Sequence, residues 1–201
     1  MVMLQIAIAL CAGVSLSAAC GFRVFVPPLI LALAIRVGAL PASAGPAWLA
    51  ATPTLVLLGA ATVCEMLVFK VPWLDHAMDV IATPSAVAAG VGVCAAILPE
   101  DVMPPAAKWA VAVVLGGGAA GAVQGGTVAA RATSGATTGG LGNPAVAKLE
   151  NVFATVLSVL AIAVPILAAI IVVGLLAWVV KVIAKWWRRQ GTMRPADASH
   201  S

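Results

Sequence analysis

The sequence predicts an all-α, polytopic membrane bundle built from about six apolar helical segments, with five to seven as the range. Mean hydropathy is +1.12, 63% of the 201 residues are hydrophobic, and only 9% are charged. Several apolar runs approach the roughly 20 residues with which a helix crosses a hydrocarbon core about 30 Å thick. The runs are continuous, without the alternation of apolar and polar residues that is typical of a membrane β-barrel. A barrel is therefore excluded.

The linkers between the apolar segments are too short to hold a second folded unit. We therefore expect a single transmembrane domain over residues 1–189 and a disordered cytoplasmic tail over 190–201. The four cysteines lie inside apolar segments, without the paired short spacings of zinc or redox motifs. We expect them to be small packing residues.

The first two segments, about Met3 to Cys20 and Val24 to Ile35, are separated by three residues that end in Arg23. Together they hold about 33 residues, or roughly 50 Å of helix, which is less than two full crossings need. Pro27 and Pro28 favour a break at the start of the second segment. The sequence leaves two arrangements open, namely two spans or a broken, re-entrant segment around Arg23.

The third segment, Trp48 to Phe69, has 22 residues and one charge, Glu65, and Lys70 closes it at the level of the headgroups. A short amphipathic helix is expected after Pro72, with Asp75 and Asp79 on its polar face, and it should end before Pro84.

The fourth and fifth segments are Ser85 to Leu98 and about Ala106 to Ala130, joined by a polar linker. The fifth carries a stripe of glycines at i+4 spacing, which allows another helix backbone to approach closely. The stripe consists of Gly117, Gly121 and Gly125. The neighbouring helix can belong to the same chain or to a second copy.

A loop rich in small residues is expected from Thr133 to Asn143, with Asn143 as the cap of the next helix. The sixth segment, Ala145 to Ile183, has 39 residues and is interrupted by Pro165. It forms either one kinked helix or two shorter helices.

Basic residues and tryptophans cluster behind the last apolar segment and suit a headgroup belt on the cytoplasmic side. The basic residues are Lys181, Lys185, Arg188, Arg189 and Arg194. The net charge of +4 comes largely from this cluster. It therefore indicates contact with anionic lipids and a cytoplasmic carboxyl terminus, and it does not indicate nucleic-acid binding.

Three stretches resemble the signatures of a bacterial multi-pass membrane family that is catalogued only as a domain of unknown function. They are Gly21-Phe-Arg-Val-Phe-Val-Pro27, then Glu65-x4-Lys70-Val-Pro-x2-Asp75-x3-Asp79, then Thr138-Gly-Gly-x-Gly-Asn143-Pro-x5-Glu150. The resemblance covers roughly residues 4–173. It implies a multi-pass fold in the bacterial inner membrane and brings no assigned activity.

Charges stranded in apolar segments are the strongest pointers to function, since an ionised group in lipid is costly. We expect these residues to gather around one central polar pocket, with donors from the Gly/Thr loop beside them. The expected substrate-binding residues are Arg23, Glu65, Lys70, Arg131, Thr138, Gly139, Gly140, Asn143 and Glu150. The function predicted from this set is a transporter or lipid translocator for an anionic solute or headgroup.

An internal repeat would suit that function. The spacing from Gly13 to Arg23 equals that from Gly121 to Arg131, as expected if two related halves each bring an arginine to a shared site.

Two alternatives remain open. One is a metal-dependent membrane transferase acting on a lipid phosphate, with Asp75 and Asp79 as Mg²⁺ ligands. It ranks below transport because no second acidic cluster and no catalytic Ser/His/Asp or Cys/His set stands out, so we predict no catalytic residue and no cofactor other than this Mg²⁺. The other is a non-catalytic membrane assembly protein, a homo-oligomer through the glycine stripe.

Overall fold

The chain folds into a helical bundle in a computed structural model that describes residues 2–41, 44–68 and 75–191. No strand occurs within these ranges, so the predicted all-α class is confirmed. The helices are α1 (Val2–Cys20), α2 (Val26–Arg36), a 3₁₀ turn (Ala47–Ala50), α3 (Thr52–Val68), α4 (Asp75–Ile97), α5 (Pro105–Val111), a π-helical segment (Ala112–Gly117), α6 (Gly118–Thr138), α7 (Asn143–Ala163) and α8 (Pro165–Gly191).

Three of the described helices are long and apolar enough to cross a membrane. They are α1, the continuous helix Pro105–Thr138 formed by α5, the π segment and α6, and α7. Shorter apolar helices cover Val26–Arg36, Thr52–Leu67, Ile81–Ile97 and Pro165–Lys181. Because their outward faces are also apolar, with residues such as Val56 and Ile170 exposed, the bundle is a membrane protein whose surface suits lipid.

Helix α1 is the centre of the bundle and packs against α4, α6, α7 and α8. Its second half is buried on all sides, from Ala12 to Cys20 apart from Val14. Small side chains make this possible, because they let several helix backbones approach one another closely. The hydroxyl of Ser17 lies 2.7 Å from the carbonyl oxygens of both Gly13 and Gly90, which joins α1 to α4.

Glycines also set the distance between α4 and the helix Pro105–Thr138. A Cβ atom on Gly90 would lie 2.6 Å from the Cβ of Ala120, and one on Gly116 would lie 2.7 Å from the carbonyl oxygen of Gly90. In the predicted stripe, Gly117 and Gly121 face valines of α4, whereas the Cβ position of Gly125 is open. Two of the three glycines therefore pack against a helix of the same chain. Contact of the stripe with a second copy stays a prediction.

The helical structure is interrupted between α1 and α2, at Gly21–Phe25, where the sequence indicates a break. A Cβ on Gly21 would lie 2.5 Å from the carbonyl oxygen of Ala120, so the turn fits against α6 only with glycine there. Pro27 and Pro28 occupy the start of α2. With 11 residues, α2 reaches only about 16 Å, roughly half of the hydrocarbon core. Of the two arrangements left open, the broken segment is the one observed.

Three predicted boundaries are wrong. Helix α4 runs through Pro84, so the amphipathic helix and the fourth segment are one element. Helix α6 continues to Thr138, which leaves only residues 139–142 of the expected loop as a turn. Asn143 is the first residue of α7 rather than its cap, and Gly142 takes the cap position without a side-chain hydrogen bond. The sixth segment forms two helices, because Pro165 begins α8 after a break at Val164.

The two ends of the bundle differ in character. At one end, here called the charged end, the α1–α2 break meets the last turn of α3, the second half of α6 and the first half of α7. At the other, here called the pocket end, the first half of α1 meets the end of α4 and the α7–α8 break. Among the side chains that the structure describes, the buried charged ones lie at the charged end, apart from Lys108.

Candidate functional site

Two arginines from different parts of the chain share one carboxylate at the charged end. Arg131 of α6 donates to both oxygens of Glu150, from Nε to Oε1 at 3.0 Å and from Nη2 to Oε2 at 2.5 Å. Arg23, in the α1–α2 break, places its Nη2 3.3 Å from the same Oε2 and donates to the carbonyl oxygen of Ala147 at 3.0 Å. Arg23, Arg131 and Glu150 are each at most 4% exposed. These three residues form a buried ion network between α7, α6 and the break.

Another predicted site residue, Glu65, binds the start of α2. Its carboxylate accepts hydrogen bonds from the backbone amides of Val24 at 2.8 Å and Phe25 at 3.2 Å. Amides at a helix start lack partners within the helix, and Pro27 and Pro28 have no N–H to offer. A carboxylate from α3 therefore occupies a place where helix amides bind anions. Glu65 also lies within electrostatic range of Arg23 and Arg131.

Two more buried polar residues belong to α6 and lie outside the ion network. Gln124 and Thr127 are buried and precede Arg131 by seven and four residues, so all three share one face of the helix. The hydroxyl of Thr127 donates to the carbonyl oxygen of Gln124 at 2.9 Å. The backbone nitrogen of Gln124 is one of the atoms that a Cβ on Gly21 would meet, at 2.9 Å. This face of α6 therefore packs on the α1–α2 break.

Part of the predicted Gly/Thr loop lies away from the ion network. Thr138 stands about 10 Å beyond Arg131 along α6 and is exposed. Its hydroxyl donates to the carbonyl oxygen of Ser134 and accepts from the amide of Gly142, which are bonds within the turn. Gly139 and Gly140 have φ of 62° and 88°, so they serve the reversal from α6 to α7. Asn143 is the loop residue that is buried.

Three predicted site residues cannot be placed. Lys70 lies outside the described residues. Asp75 and Asp79 begin α4, but their side chains are outside the part of the chain that is described. Among the side chains that are described, no group of three or more His, Cys, Asp or Glu could hold a metal ion. Binding of Mg²⁺ by the two aspartates stays a prediction.

The two segments of the predicted internal repeat have different local structures. Arg23 lies in a break between two helices, whereas Arg131 lies inside α6. The two arginines nevertheless reach the same carboxylate of Glu150.

The pocket found among the described residues does not include the ion network in its lining. A pocket of about 990 Å³ lies at the pocket end, between the first half of α1, the end of α4 and the α7–α8 break. Ala12 and Ala161 line it, and each is eleven residues, about 16 Å of helix, from Arg23 or Glu150. Buried small residues of α1 and α7, such as Ser17 and Ser158, occupy the interval. The charges converge as predicted, and their side chains are buried there.

An ion pair at the pocket end was not anticipated from the sequence. The ammonium of Lys108 lies 2.6 Å from the Oε1 of Glu100, and Lys108 is buried while Glu100 is exposed. Hydrogen bonding and the positive charge of Lys108 hold the pKa of Glu100 below its ordinary value.

Gln124 was also missed, although an amide seven residues before an arginine in an apolar segment was a usable signal.

The arrangement provides charge and hydrogen-bond donors for an anion. Its donors are two guanidinium groups, the amides of Val24 and Phe25, and the side-chain amide of Gln124. Its resident acceptors are the carboxylates of Glu65 and Glu150. In surroundings of low dielectric constant these contacts are stronger than in water, and an unbalanced charge is costly.

One comparison with known proteins gives a match. The profile of the family DUF4126, described as a domain of unknown function, matches residues 10–185. No curated protein and no solved structure matches the chain. The matched range includes the α1–α2 break, the ends of α3 and α6 and the first half of α7. The three charges of the ion network and Glu65 therefore lie inside it. The chain belongs to the DUF4126 family.

Proposed function

We propose that this protein is a membrane transporter or lipid translocator for an anionic solute or headgroup. The observation that carries the proposal is the meeting of Arg23 and Arg131 on Glu150, beside helix amides that are held by Glu65. Four ionisable residues, from the α1–α2 break and three different helices, converge there at the end of a membrane bundle.

A purely stabilising role is a weak explanation for this network. Buried ion pairs often contribute little net stability, because the cost of removing the charges from water offsets their attraction. Charges in apolar segments are accordingly rare and commonly mark a pathway for ions or substrates. An arginine also suits oxyanions, because its planar fork of donors matches carboxylate and phosphate groups.

Glu65 acts in this proposal as a resident occupant of the substrate site. Its carboxylate takes the two α2 amides that an incoming anion would otherwise bind. When Glu65 withdraws, the amides and the nearby guanidinium groups become available to the substrate. The start of a half-length helix is a recurrent position for anionic substrate groups in transporters with broken helices.

The pocket supplies access from the other end of the bundle. Its lining residues Ala12 and Ala161 lie about 16 Å of helix from the network. In the proposal, the pocket opens the bundle at one end and the buried charges close the other. Transport requires the small residues of α1 and α7 between them to move apart. Close packing of small residues favours such sliding because few long side chains interlock.

We place the protein in the bacterial inner membrane, with the carboxyl terminus and the charged end in the cytoplasm. The α6–α7 turn and the end of α8 lie at the same end, since Val179 of α8 packs near Gly126 of α6. Lys148 and Lys181 are at this end, and the sequence after Lys181 holds further basic residues. An excess of Lys and Arg marks the cytoplasmic side of membrane proteins.

Flux measurements in proteoliposomes test the proposal. Candidate anions and labelled anionic lipids are supplied to the wild type and to Arg23→Ala and Glu65→Gln. Arg36→Ala is the matched control, because Arg36 is an exposed arginine at the other end of α2 whose partners among the described residues are Ala50 and Thr52. We expect Arg23→Ala to stop flux and Glu65→Gln to change it, with Arg36→Ala at the wild-type rate. Equal flux in all four proteins contradicts the proposal.

A further inference from the structure

Gln124 of α6 is a buried amide whose nitrogen has no acceptor among the described residues. The residue is 2% exposed, and its Nε2 makes no hydrogen bond there. Its neighbour on the same face, Thr127, differs in this respect, because the Thr127 hydroxyl has the carbonyl oxygen of Gln124 as its acceptor.

The position of Gln124 associates it with the ion network. It lies beside Gly21, two residues before Arg23 in the chain, and on the face of α6 that carries Arg131. Side chains on a helix lean toward its amino terminus, so Gln124 leans toward the part of α6 that packs on the α1–α2 break. Arg23 follows Gly21 by two residues, and its guanidinium group meets that of Arg131 on Glu150.

Packing alone does not explain a glutamine here. A leucine has a similar volume and leaves no donor unsatisfied, whereas a buried donor without a partner is destabilising. A residue kept at such a cost is explained when the donor is used in another state of the protein, in which an acceptor is present.

We infer that Gln124 donates a hydrogen bond to a phosphate group bound beside Arg23 and Arg131. The inference rests on the proposed function and names its substrate class. Glu150 and Glu65 already supply acceptors for the guanidinium groups and the α2 amides, yet the Gln124 donor remains. A phosphate has more acceptor oxygens than the two of a carboxylate, so it serves both arginines and the amide at once. The phosphate is either inorganic or part of a lipid headgroup.

Binding measurements with two probes test this inference on the purified full chain. One probe is inorganic phosphate, and the other is short-chain phosphatidic acid, with the corresponding diacylglycerol as the probe without phosphate. The variants are Gln124→Leu, which removes the donor at similar volume, and Thr127→Val, which removes a hydroxyl of the same face that already has an acceptor. Thermal unfolding of each variant is measured alongside.

For Gln124→Leu we expect the dissociation constant for the phosphate probe to rise roughly tenfold or more, since a hydrogen bond to a charged group is lost. Its unfolding temperature should equal or exceed that of the wild type. Thr127→Val should bind as the wild type does. A preference for inorganic phosphate identifies a solute, and a preference for phosphatidic acid over diacylglycerol identifies a headgroup.

Two results overturn the inference and separate it from the proposed function. If Gln124→Leu binds phosphate as tightly as Thr127→Val while Arg23→Ala does not bind, the site binds anions without Gln124, and only the inference fails. If neither probe binds the wild type and no anion flux depends on Arg23, both fail. A lower unfolding temperature of Gln124→Leu with unchanged binding shows a structural role and also overturns the inference.

Discussion

Glu150 joins separate parts of the chain at the charged end, because arginines from two sides contact its carboxylate. Its partners are 19 and 127 positions away in the chain, at Arg131 and Arg23. The four charges could be selected from the sequence, since an ion in an apolar run is conspicuous. Their pairing could not, because spacing along a chain gives no distances between separate helices. Gln124 was not selected because an uncharged amide is less conspicuous.

Neutralising Glu150 should destabilise the fold strongly. Glu150→Gln removes the carboxylate charge that Arg23 and Arg131 share, and breaking a buried pair by changing one partner costs about 3–5 kcal/mol. Ser158→Ala, on the same helix, is the control, because its buried hydroxyl donates to the carbonyl oxygen of Ala154 one turn away, its one partner in the described part of the chain. Thermal unfolding in detergent measures both. Equal unfolding temperatures for the two variants would show that the network contributes nothing to the fold.

The Lys108–Glu100 pair predicts a pH dependence at the pocket end. The pKa of Glu100 lies below its ordinary value of 4.5 in the folded protein, first because of the hydrogen bond from Lys108 and then because of its charge. A carboxyl with a lowered folded-state pKa stabilises the fold above its unfolded-state pKa, and this contribution is lost as pH falls through the folded-state value.

Glu100→Gln should accordingly be less stable than the wild type at neutral pH, by a small amount because Glu100 is exposed. The difference should disappear as pH falls below 4.5 through the lowered pKa. Chemical unfolding at a series of pH values measures it. A difference that stays constant across this range would show that the pair does not contribute in the folded state.

At the scale of elements, the apolar segments and the break at Gly21–Phe25 were predictable, and the exact helix ends were not. The Thr133–Asn143 stretch has a loop-like composition, yet the hydroxyls of Thr133 and Thr137 bond carbonyl oxygens one turn back and are satisfied inside α6. Pro84 is tolerated inside α4, as prolines often are in membrane helices. Composition therefore locates loops poorly where neighbouring helices hold the backbone.

The fit of the α1–α2 break against α6 should depend on Gly21. Gly21→Ala places a methyl group against the backbone of Ala120, at 2.5 Å, so the break must move away from α6. We expect lower stability and weaker anion binding, because Arg23 follows two residues later. The control is Gly125→Ala, whose Cβ position is open and whose helix propensity rises.

The two alanine variants are compared by unfolding temperature and by binding of the phosphate probe. A Gly21→Ala protein that matches Gly125→Ala in both contradicts the tight fit of the break. If Gly125→Ala instead changes the oligomeric state, the outward part of the glycine stripe contacts a second copy, as the assembly alternative holds.

For the whole molecule, composition was sufficient to predict a helical membrane bundle, because nearly every segment is apolar on all sides. It could not predict that the pocket and the charges lie at opposite ends, since this depends on how the helices pack. The separation has a functional meaning in the transport proposal, in which the bundle is closed at one end and open at the other.

Thiol labelling in a cysteine-free background should show which end faces which side. Ala9→Cys lines the pocket, and Leu141→Cys is exposed in the α6–α7 turn at the charged end. We expect a membrane-impermeant reagent to label Ala9→Cys in intact cells and Leu141→Cys only in inside-out vesicles. Buried Ser158→Cys, between the two ends, should stay unlabelled in both. The reverse pattern for the first two variants contradicts the assigned orientation.

Replacing the ion network with apolar residues separates its role in the fold from its role in function. The triple variant Arg23→Met, Arg131→Met and Glu150→Leu removes all three charges together, a change that often leaves stability unaltered or improved. Anion flux in proteoliposomes is then measured for the folded triple variant and the wild type. We predict a stable protein without anion flux. A folded triple variant that transports at the wild-type rate would show that the network serves only the architecture of the bundle.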